Sequence, residues 1–156
     1  MSAKAHFLEN KNNSFISDSY RILDVNTNRG KEGFRVCEEI LRFHLKDKLL
    51  TKKFRAIRHQ LTRLIKTSAL DQHLLFQERN TVLDLGKTFK ALEDQKSFKE
   101  IFMRNAQRTK EALRVLEEFL KLFDLSASKN IQSLRFNFYA LEKKCVKKFP
   151  ALLDPR

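Results

Sequence analysis

The stretch NTNRGKEGFRVCEEIL at positions 26–41 recurs as NAQRTKEALRVLEEFL at positions 105–120. Nine of the sixteen aligned positions hold the same residue. The identical pairs are Asn26/Asn105, Arg29/Arg108, Lys31/Lys110, Glu32/Glu111, Arg35/Arg114, Val36/Val115, Glu38/Glu117, Glu39/Glu118 and Leu41/Leu120. Most of them are polar, unlike the residues of a repeat that is kept only to fill a core.

Each copy of this motif is followed by a second amphipathic run, so the duplicated unit is a pair of helices. FRAIRHQLTRLIK starts at Phe54 and IQSLRFNFYALEK at Ile131, and Arg58 corresponds to Arg135. The sequence therefore predicts an all-α, internally duplicated bundle with approximate twofold pseudo-symmetry. Its four main helices are expected at about 18–46, 50–67, 95–124 and 127–148. The expected N-cap positions are near Asp18, Ser97 and Ser126.

Length and composition support a single helical domain. A chain of 156 residues with 3 Gly and 2 Pro has room for one core and few obligatory turns. We expect a flexible N-terminal segment at 1–17 and one helical domain at 18–149. The halves of that domain lie at 18–68 and 95–149, and the connector at 69–94 contains a short helix.

The net charge of +13 favours a partner that carries phosphate groups. The lysines are scattered without an RNA-binding signature, so a solvated helix surface explains most of them and a nucleic-acid partner is disfavoured. No apolar run is long enough for a membrane span or a signal peptide, which predicts a cytoplasmic protein without a membrane partner. Cys37 and Cys145 lack zinc-binding spacing and are expected to be reduced packing residues.

The polar residues of the motif fall into two neighbouring stripes on a helix. The first stripe alternates in charge, as in a ladder of exposed ion pairs that contribute about 0.2–0.5 kcal/mol each. It runs through Asn28, Glu32, Arg35, Glu39 and Arg42, and again through Gln107, Glu111, Arg114, Glu118 and Lys121. Such a ladder can be purely structural.

The second stripe begins with an arginine, Arg29 or Arg108, and continues through apolar residues. Asn26 and Asn105 lie one turn earlier on nearly the same face. An arginine buried at the end of an apolar seam must find an acceptor, because an unpaired buried charge is very costly. The repeated feature therefore predicts a polar pocket at one end of the bundle.

Two glycines next to Arg29 mark a place of close approach. Glycine inside a helix costs about 1 kcal/mol relative to alanine, so Gly30 and Gly33 indicate a nearby helix or ligand. A ligand site and a purely structural network of arginines and glutamates both stay open at this point. Arginines suit a phosphate ligand, and glutamates can hold Mg²⁺ beside it. No standard nucleotide-binding loop is present in the sequence.

Five segments together resemble the helical hydroxymethylpyrimidine-phosphate kinase domain of thiamine biosynthesis. They are RILDVNTNRGKEGFRVCEEILRF, RAIRHQL, the stretch from Arg79 to Gly86, NAQRTKEALRVLEEF and LRFNFYALEK, in that order between about Arg21 and Lys144. Members of this family occur alone or fused ahead of thiamine-phosphate synthase, and are often labelled thiamine-phosphate pyrophosphorylase. The resemblance implies phosphorylation of 4-amino-5-hydroxymethyl-2-methylpyrimidine phosphate to its diphosphate, with ATP and Mg²⁺.

The resemblance also implies a set of site residues. Combined with the polar stripes, it leads us to expect catalytic roles for Arg29, Glu32, Arg108 and Glu111. Magnesium ligands are expected at Glu32, Glu111 and Asp84. The expected substrate-binding residues are Asn26, Arg35, Arg58, His59, Arg79, Asp84, Gly86, Asn105 and Arg114. Glu39 and Glu118 also match the family pattern. We expect phosphates to be held by Arg29, Arg108 and Arg79.

Two other functions stay open. The domain could be a non-catalytic partner or regulatory module of thiamine-phosphate synthase, with the duplicated stripe as the interface. A basic helical nucleic-acid binder has the charge in its favour but no motif. The sequence also leaves open whether the site lies within one bundle or across a homodimer, and whether both motif copies take part.

Overall fold

The computed structural model describes residues 3–79 and 97–152, with side chains described from residue 13 onward in these ranges. Within them the chain forms five α-helices and no strand. The helices are α1 (Ala3–Glu39), α2 (Lys48–Thr67), α3 (Gln72–Gln77), α4 (Phe98–Leu120) and α5 (Leu125–Lys148). A π-helical turn at Ile40–His44 continues α1, and a 3-10 turn at Pro150–Leu152 follows α5. The predicted all-α class is confirmed.

The ends of the helices differ from the prediction mainly at the N-terminus. The sequence predicted a flexible segment at 1–17, whereas the backbone is helical from Ala3 onward. Asp18 therefore lies inside α1 and is not an N-cap. The short helix expected in the connector is α3, and the rest of the connector, with Asp84 and Gly86, lies outside the described residues.

Capping side chains determine where α4 and α5 begin. The side chain of Ser97 accepts a hydrogen bond from the backbone N–H of Glu100, as expected for the N-cap of α4. Ser126 was expected near the start of α5, but Asp124 takes the N-cap position and accepts from the backbone N–H of Ala127 at 2.9 Å. The N-cap expected near Ser126 therefore lies two residues earlier, and because aspartate and serine cap helices about equally well, residue type alone does not favour Ser126 over Asp124.

Aromatic side chains fill the core between the long helices. α1 packs on α4 and α2, and α5 packs on α4 and α2. Phe34, Phe54, Phe102 and Phe138 are fully buried. Phe138 meets Phe34 edge to face with ring centroids 4.8 Å apart, and it meets Phe54 in the same way at 5.7 Å. The core therefore joins all four long helices. None of the described helices is long and apolar enough to cross a membrane.

The two cysteines are part of this core. Cys37 and Cys145 are both free and buried, as the sequence predicted. The Sγ of Cys37 on α1 donates to the backbone carbonyl of Phe102 on α4 at 3.5 Å. Burial raises the pKa of the Cys37 thiol far above its usual range and that of Cys145 to about 12. Both therefore stay protonated and unreactive in the folded chain.

α1 and α4 cross where their side chains are small. A Cβ on Gly33 would overlap Oγ1 of Thr109 and lie 2.8 Å from the backbone oxygen of Asn105. A Cβ on Gly30 would instead lie 3.1 Å from Cδ2 of Leu61, which belongs to α2. The close approach predicted at both glycines is confirmed, and neighbouring helices provide it.

A buried glutamate links α1 to α2. Glu38 is fully buried and accepts hydrogen bonds from Nε of Arg55 and Nε of Arg58, at 3.0 Å each. Burial alone would raise the pKa of Glu38, but these two hydrogen bonds, together with the positive charges of Arg58 and Arg35, outweigh it and hold the pKa below its usual range. The carboxylate therefore stays ionised and joins the two helices through charge-assisted hydrogen bonds.

The second motif copy has the same arrangement. Glu117 on α4 is 1% exposed and accepts from Nε of Arg135 at 2.9 Å and Nε2 of Gln132 at 3.1 Å, both on α5. Arg114 donates to the same carboxylate at 2.7 Å. These contacts agree with the predicted helix pairs, while the internal duplication and its twofold symmetry stay predictions.

Alanine at Gly33 should destabilise the fold more than alanine at Gly30. At position 33 the added methyl group meets a backbone oxygen, so we expect the free energy of unfolding to fall by about 1–3 kcal/mol. At position 30 its nearest contact is the flexible end of Leu61, and Ala112 lies at an ordinary van der Waals distance of 3.9 Å, so the change should stay within about 1 kcal/mol. Urea unfolding of both variants measures the difference, and equal effects would contradict the crossing geometry.

Removing the carboxylate of Glu38 should be far more harmful than removing its neighbour. We expect Glu38→Ala to lower the free energy of unfolding by about 3 kcal/mol, because it leaves Arg58 without its acceptor. Glu39→Ala removes a partly exposed partner of Arg35 and should cost less than about 1 kcal/mol.

The pH dependence of the free energy of unfolding tests the charge state of Glu38. A lowered pKa in the folded chain means that Glu38 stabilises the fold at neutral pH and that this contribution disappears as the pH falls through the lowered pKa. The stability gap between Glu38→Ala and the unaltered protein should therefore narrow in acid. A gap that stays constant down to strong acid would contradict the ionised state.

Candidate functional site

A cavity of about 490 Å³ lies between α1 and α4, beside their crossing. Both motif copies line it, and each contributes an asparagine, an arginine and a glutamate. The lining residues are Asn26, Arg29, Glu32, Gly33, Asn105, Arg108, Glu111, Ala112 and Val115. The predicted polar pocket is therefore present within a single chain.

The two arginines of this cavity lie at its exposed rim. Arg29 and Arg108 are both exposed, whereas the sequence placed them at the buried end of an apolar seam. Arg29 and Arg108 each lie about 40° around the helix from the buried residue four positions later, Gly33 or Ala112, and therefore fall beyond the edge of the buried face. In the described part of the chain, no hydrogen bond or ion pair engages either guanidinium. Water stabilises both charges, and both remain available to an anionic ligand.

The two asparagines are held by their own helices. Nδ2 of Asn26 donates to the backbone carbonyl of Ile22, and Nδ2 of Asn105 donates to that of Ile101, at 2.8 Å in each case. These bonds fix the side-chain amides, and among the described residues neither amide oxygen has a hydrogen-bond donor. Each asparagine therefore offers the cavity an oriented acceptor.

Glu32 and Glu111 supply the carboxylates of the cavity and are both exposed. Glu111 accepts a hydrogen bond from Gln107 at 2.8 Å. Across residues 13–79 and 97–152, no group of three or more His, Cys, Asp and Glu side chains could hold a metal ion. Mg²⁺ usually binds one or two carboxylates together with phosphate oxygens. The two glutamates fit that manner of binding, while Asp84 lies outside the described residues.

Arg35 and Arg114, two of the predicted substrate-binding residues, lie in the charge ladder, and their substrate-binding role stays a prediction. Arg35 pairs with Glu39 at 2.6 Å, and Arg114 pairs with Glu118 at 2.7 Å. Both arginines are about half exposed, with side-chain exposures of 51% and 54%. None of these four residues lines the cavity between α1 and α4. The surface ladder expected from the sequence is therefore present beside the cavity.

Two further predicted residues lie on α2, away from this cavity. Arg58 is committed to the carboxylate of Glu38, and His59 is exposed on the helix surface. Neither lines the cavity. Sequence reasoning singled out Arg58 but not its partner. The identity of Glu38 and Glu117 in the two copies was the signal that could have identified the buried network.

A second cavity of about 490 Å³ adjoins the first. Asn26 and Arg29 line both cavities, so the two spaces lie side by side along α1. The other lining residues of the second cavity are Asp18, Arg21, Ile22, Val25, Glu78 and Arg79. The residues that follow α3 therefore close a space next to the motif.

Arg79 forms a wall of the second cavity and is not a free cation. Its Nε donates to Oδ2 of Asp24 at 2.8 Å, and its Nη2 donates to Oδ1 of the same residue at 2.6 Å. This hydrogen-bonded pair raises the pKa of Arg79 above its usual value. The bidentate pair fixes the chain after α3 against α1. The phosphate-binding role expected of Arg79 therefore stays a prediction, and its described contacts are those of a structural residue.

Comparison with known proteins gives relatives of one kind. The model of the ThiD2 family matches residues 21–144. The chain is 35% identical over 125 residues to the thiamine-phosphate synthase of Nostoc punctiforme, an alignment that covers 79% of this chain and 34% of that protein. It is 34% identical over 122 residues to the thiamine-phosphate synthase of Rhodopirellula baltica, which covers 77% and 32%. No solved structure matches the chain significantly.

The chain spans about a third of the length of these relatives. The range that the family model matches, 21–144, is also the range over which the motifs resembled a domain of thiamine biosynthesis. The relatives confirm the thiamine-biosynthesis part of that resemblance, but their names specify a synthase and not a kinase. With a family model covering most of its length, the chain belongs to the ThiD2 family.

Proposed function

We propose that this protein acts in thiamine biosynthesis as a kinase that converts 4-amino-5-hydroxymethyl-2-methylpyrimidine phosphate into its diphosphate at the expense of ATP. Family membership and the names of the relatives support the pathway. The observation that carries the reaction is the cavity between α1 and α4, where two unengaged arginines and two carboxylates face one space of about 490 Å³. That set of charges suits a phosphorylated ligand with Mg²⁺.

The reaction requires little acid–base chemistry from the protein. An oxygen of the pyrimidine phosphate attacks the γ-phosphorus of ATP, the bond to the β,γ-bridging oxygen breaks, and ADP leaves. The attacking group is already an anion at neutral pH, so it needs no general base. Phosphoryl transfer of this kind depends on positioning and on neutralisation of charge.

Each pair of cavity residues has one role in this proposal. Arg29 and Arg108 bind phosphate oxygens through their guanidinium groups. Glu32 and Glu111 would hold Mg²⁺, which would supply neutralisation of the phosphate charge. The two asparagine amides, fixed by their backbone hydrogen bonds, accept hydrogen bonds from the amino group of the pyrimidine.

A second candidate function is a non-catalytic module that binds or regulates thiamine-phosphate synthase. The observation in its favour is that the relatives named for that activity contain the matching region as about a third of their length. In that case, the ladder and the cavity would form a contact surface. This candidate predicts tight association with the synthase and no turnover of ATP.

Incubation of the purified protein with ATP, Mg²⁺ and the pyrimidine phosphate should yield ADP and the diphosphate, measured by liquid chromatography and mass spectrometry. We expect Arg29→Ala and Arg108→Ala each to lower kcat/KM by roughly 100-fold, because each removes a charge that stabilises the transferring phosphoryl group. Arg63→Ala serves as the matched control, since Arg63 is exposed on α2 and lines neither cavity.

Two outcomes would count against this proposal in different ways. Unchanged turnover in both cavity variants would reject the site while leaving the reaction intact. Absence of turnover in the unaltered protein, combined with tight binding to thiamine-phosphate synthase, would favour the non-catalytic module.

A further inference from the structure

The second cavity differs from the first in its chemistry. Both cavities have apolar and charged side chains in their walls, but most of the surface lining the first cavity is polar, whereas most of the surface lining the second is apolar, with Ile22 and Val25 as its apolar side chains. The carboxylates of Asp18 and Glu78 also line it. A pocket with apolar walls and a few polar groups is the usual environment of a heterocyclic ring and its sugar. Carboxylates are suitable acceptors for sugar hydroxyl groups.

The walls of the second cavity are held by contacts between distant parts of the chain. Arg79 is locked on Asp24 by two hydrogen bonds, and Ser17 donates to the carboxylate of Glu78. Both contacts fasten the chain that follows α3 to α1. The cavity is therefore a formed feature of the described chain, and its shape does not depend on a ligand to bring its walls together.

Arg29 lies at the junction of the two cavities. It lines both of them, whereas Arg108 lines the first and not the second. A ligand with a ring at one end and phosphates at the other could occupy the second cavity with its ring and reach the first with its phosphates. Arg29 would then contact the phosphates where they pass from one space to the other.

We propose that the second cavity binds the nucleoside part of ATP, while its phosphates extend past Arg29 into the first cavity, where the pyrimidine phosphate binds. This assignment rests on the proposed kinase function and supplies a nucleotide site in a chain without a standard nucleotide-binding loop. It also makes the two motif copies unequal: Arg29 contacts the nucleotide along its phosphates, and Arg108 acts only within the first cavity.

Substitution of Val25 by tryptophan tests this proposal, because the larger ring would fill the second cavity without reaching the first. Calorimetry with Mg²⁺ and ADP should show binding weakened tenfold or more in Val25→Trp. Binding of Mg²⁺ and tripolyphosphate, which has phosphates but no nucleoside, should stay within twofold. Val36→Trp is the matched control, because Val36 is also half-buried but lines a separate apolar cavity beside Phe43. The Val36→Trp protein should bind both ligands normally.

A second variant, Asp18→Trp, tests the same site independently of whether Val25→Trp folds. Asp18 lies at the rim of the second cavity with 64% of its side chain exposed, so Asp18→Trp should fold and show the same selective loss of ADP binding. Thermal unfolding confirms that each variant is folded. Arg108→Ala should instead weaken the binding of tripolyphosphate, because it removes a cation of the first cavity.

The results separate this inference from the proposed reaction. Normal ADP binding in both tryptophan variants would overturn the nucleoside site. Equal weakening of ADP binding and tripolyphosphate binding would also overturn it. So would an unaltered protein that binds no ADP. Selective loss of ADP binding in a protein that never phosphorylates the pyrimidine phosphate would support the nucleoside site and reject the kinase reaction. Turnover with an unchanged KM for ATP in both variants would support the kinase reaction and reject the nucleoside site.

Discussion

The contact on which the rest of the structure depends is the crossing of α1 and α4 at Gly33. Without a side chain there, α1 comes close enough for the backbone of Asn105 to lie within 2.8 Å of where a Cβ would be. This distance sets how the two motif copies face each other. One asparagine, one arginine and one glutamate of each copy then line one shared cavity. The glycine therefore connects a packing constraint directly to the shape of the candidate site.

The charged residues that the two copies share have two distinct tasks. Glu38 and Glu117 are buried and hold arginines of the adjacent helix, so they fix α1 on α2 and α4 on α5. Arg29 and Arg108 have no such partner in the described chain and lie at the rim of the cavity. Buried ion pairs contribute mainly when every partner is present, which explains why each glutamate has more than one donor. Arg29 and Arg108, whose guanidinium groups are not engaged by a carboxylate of the described chain, are therefore the arginines suited to bind a ligand.

Sequence reasoning predicted the helix pairs, the cap at Ser97 and the shared pocket, because these follow from spacing along one chain. It was wrong about the burial of Arg29 and Arg108, since the rotation of a helix about its axis is set by the partner it packs against. Sequence reasoning also predicted that Arg58 binds substrate, and that role stays a prediction. An arginine can bind either a ligand or a carboxylate of the protein, and the sequence does not distinguish the two. The fold shows that Arg58 donates to Glu38.

The buried thiols give this chain two natural reporters of its own opening. A thiol reacts with an alkylating reagent only as an accessible thiolate, and the folded core suppresses both conditions at Cys37 and Cys145. The rate at which each is labelled therefore measures how often the helices around it separate. Cys37 reports on the contact between α1 and α4, through its bond to Phe102, and Cys145 reports on α5. Separation of α1 from α4 and separation of α5 from the core could thus be followed by the labelling of natural residues, without an introduced probe.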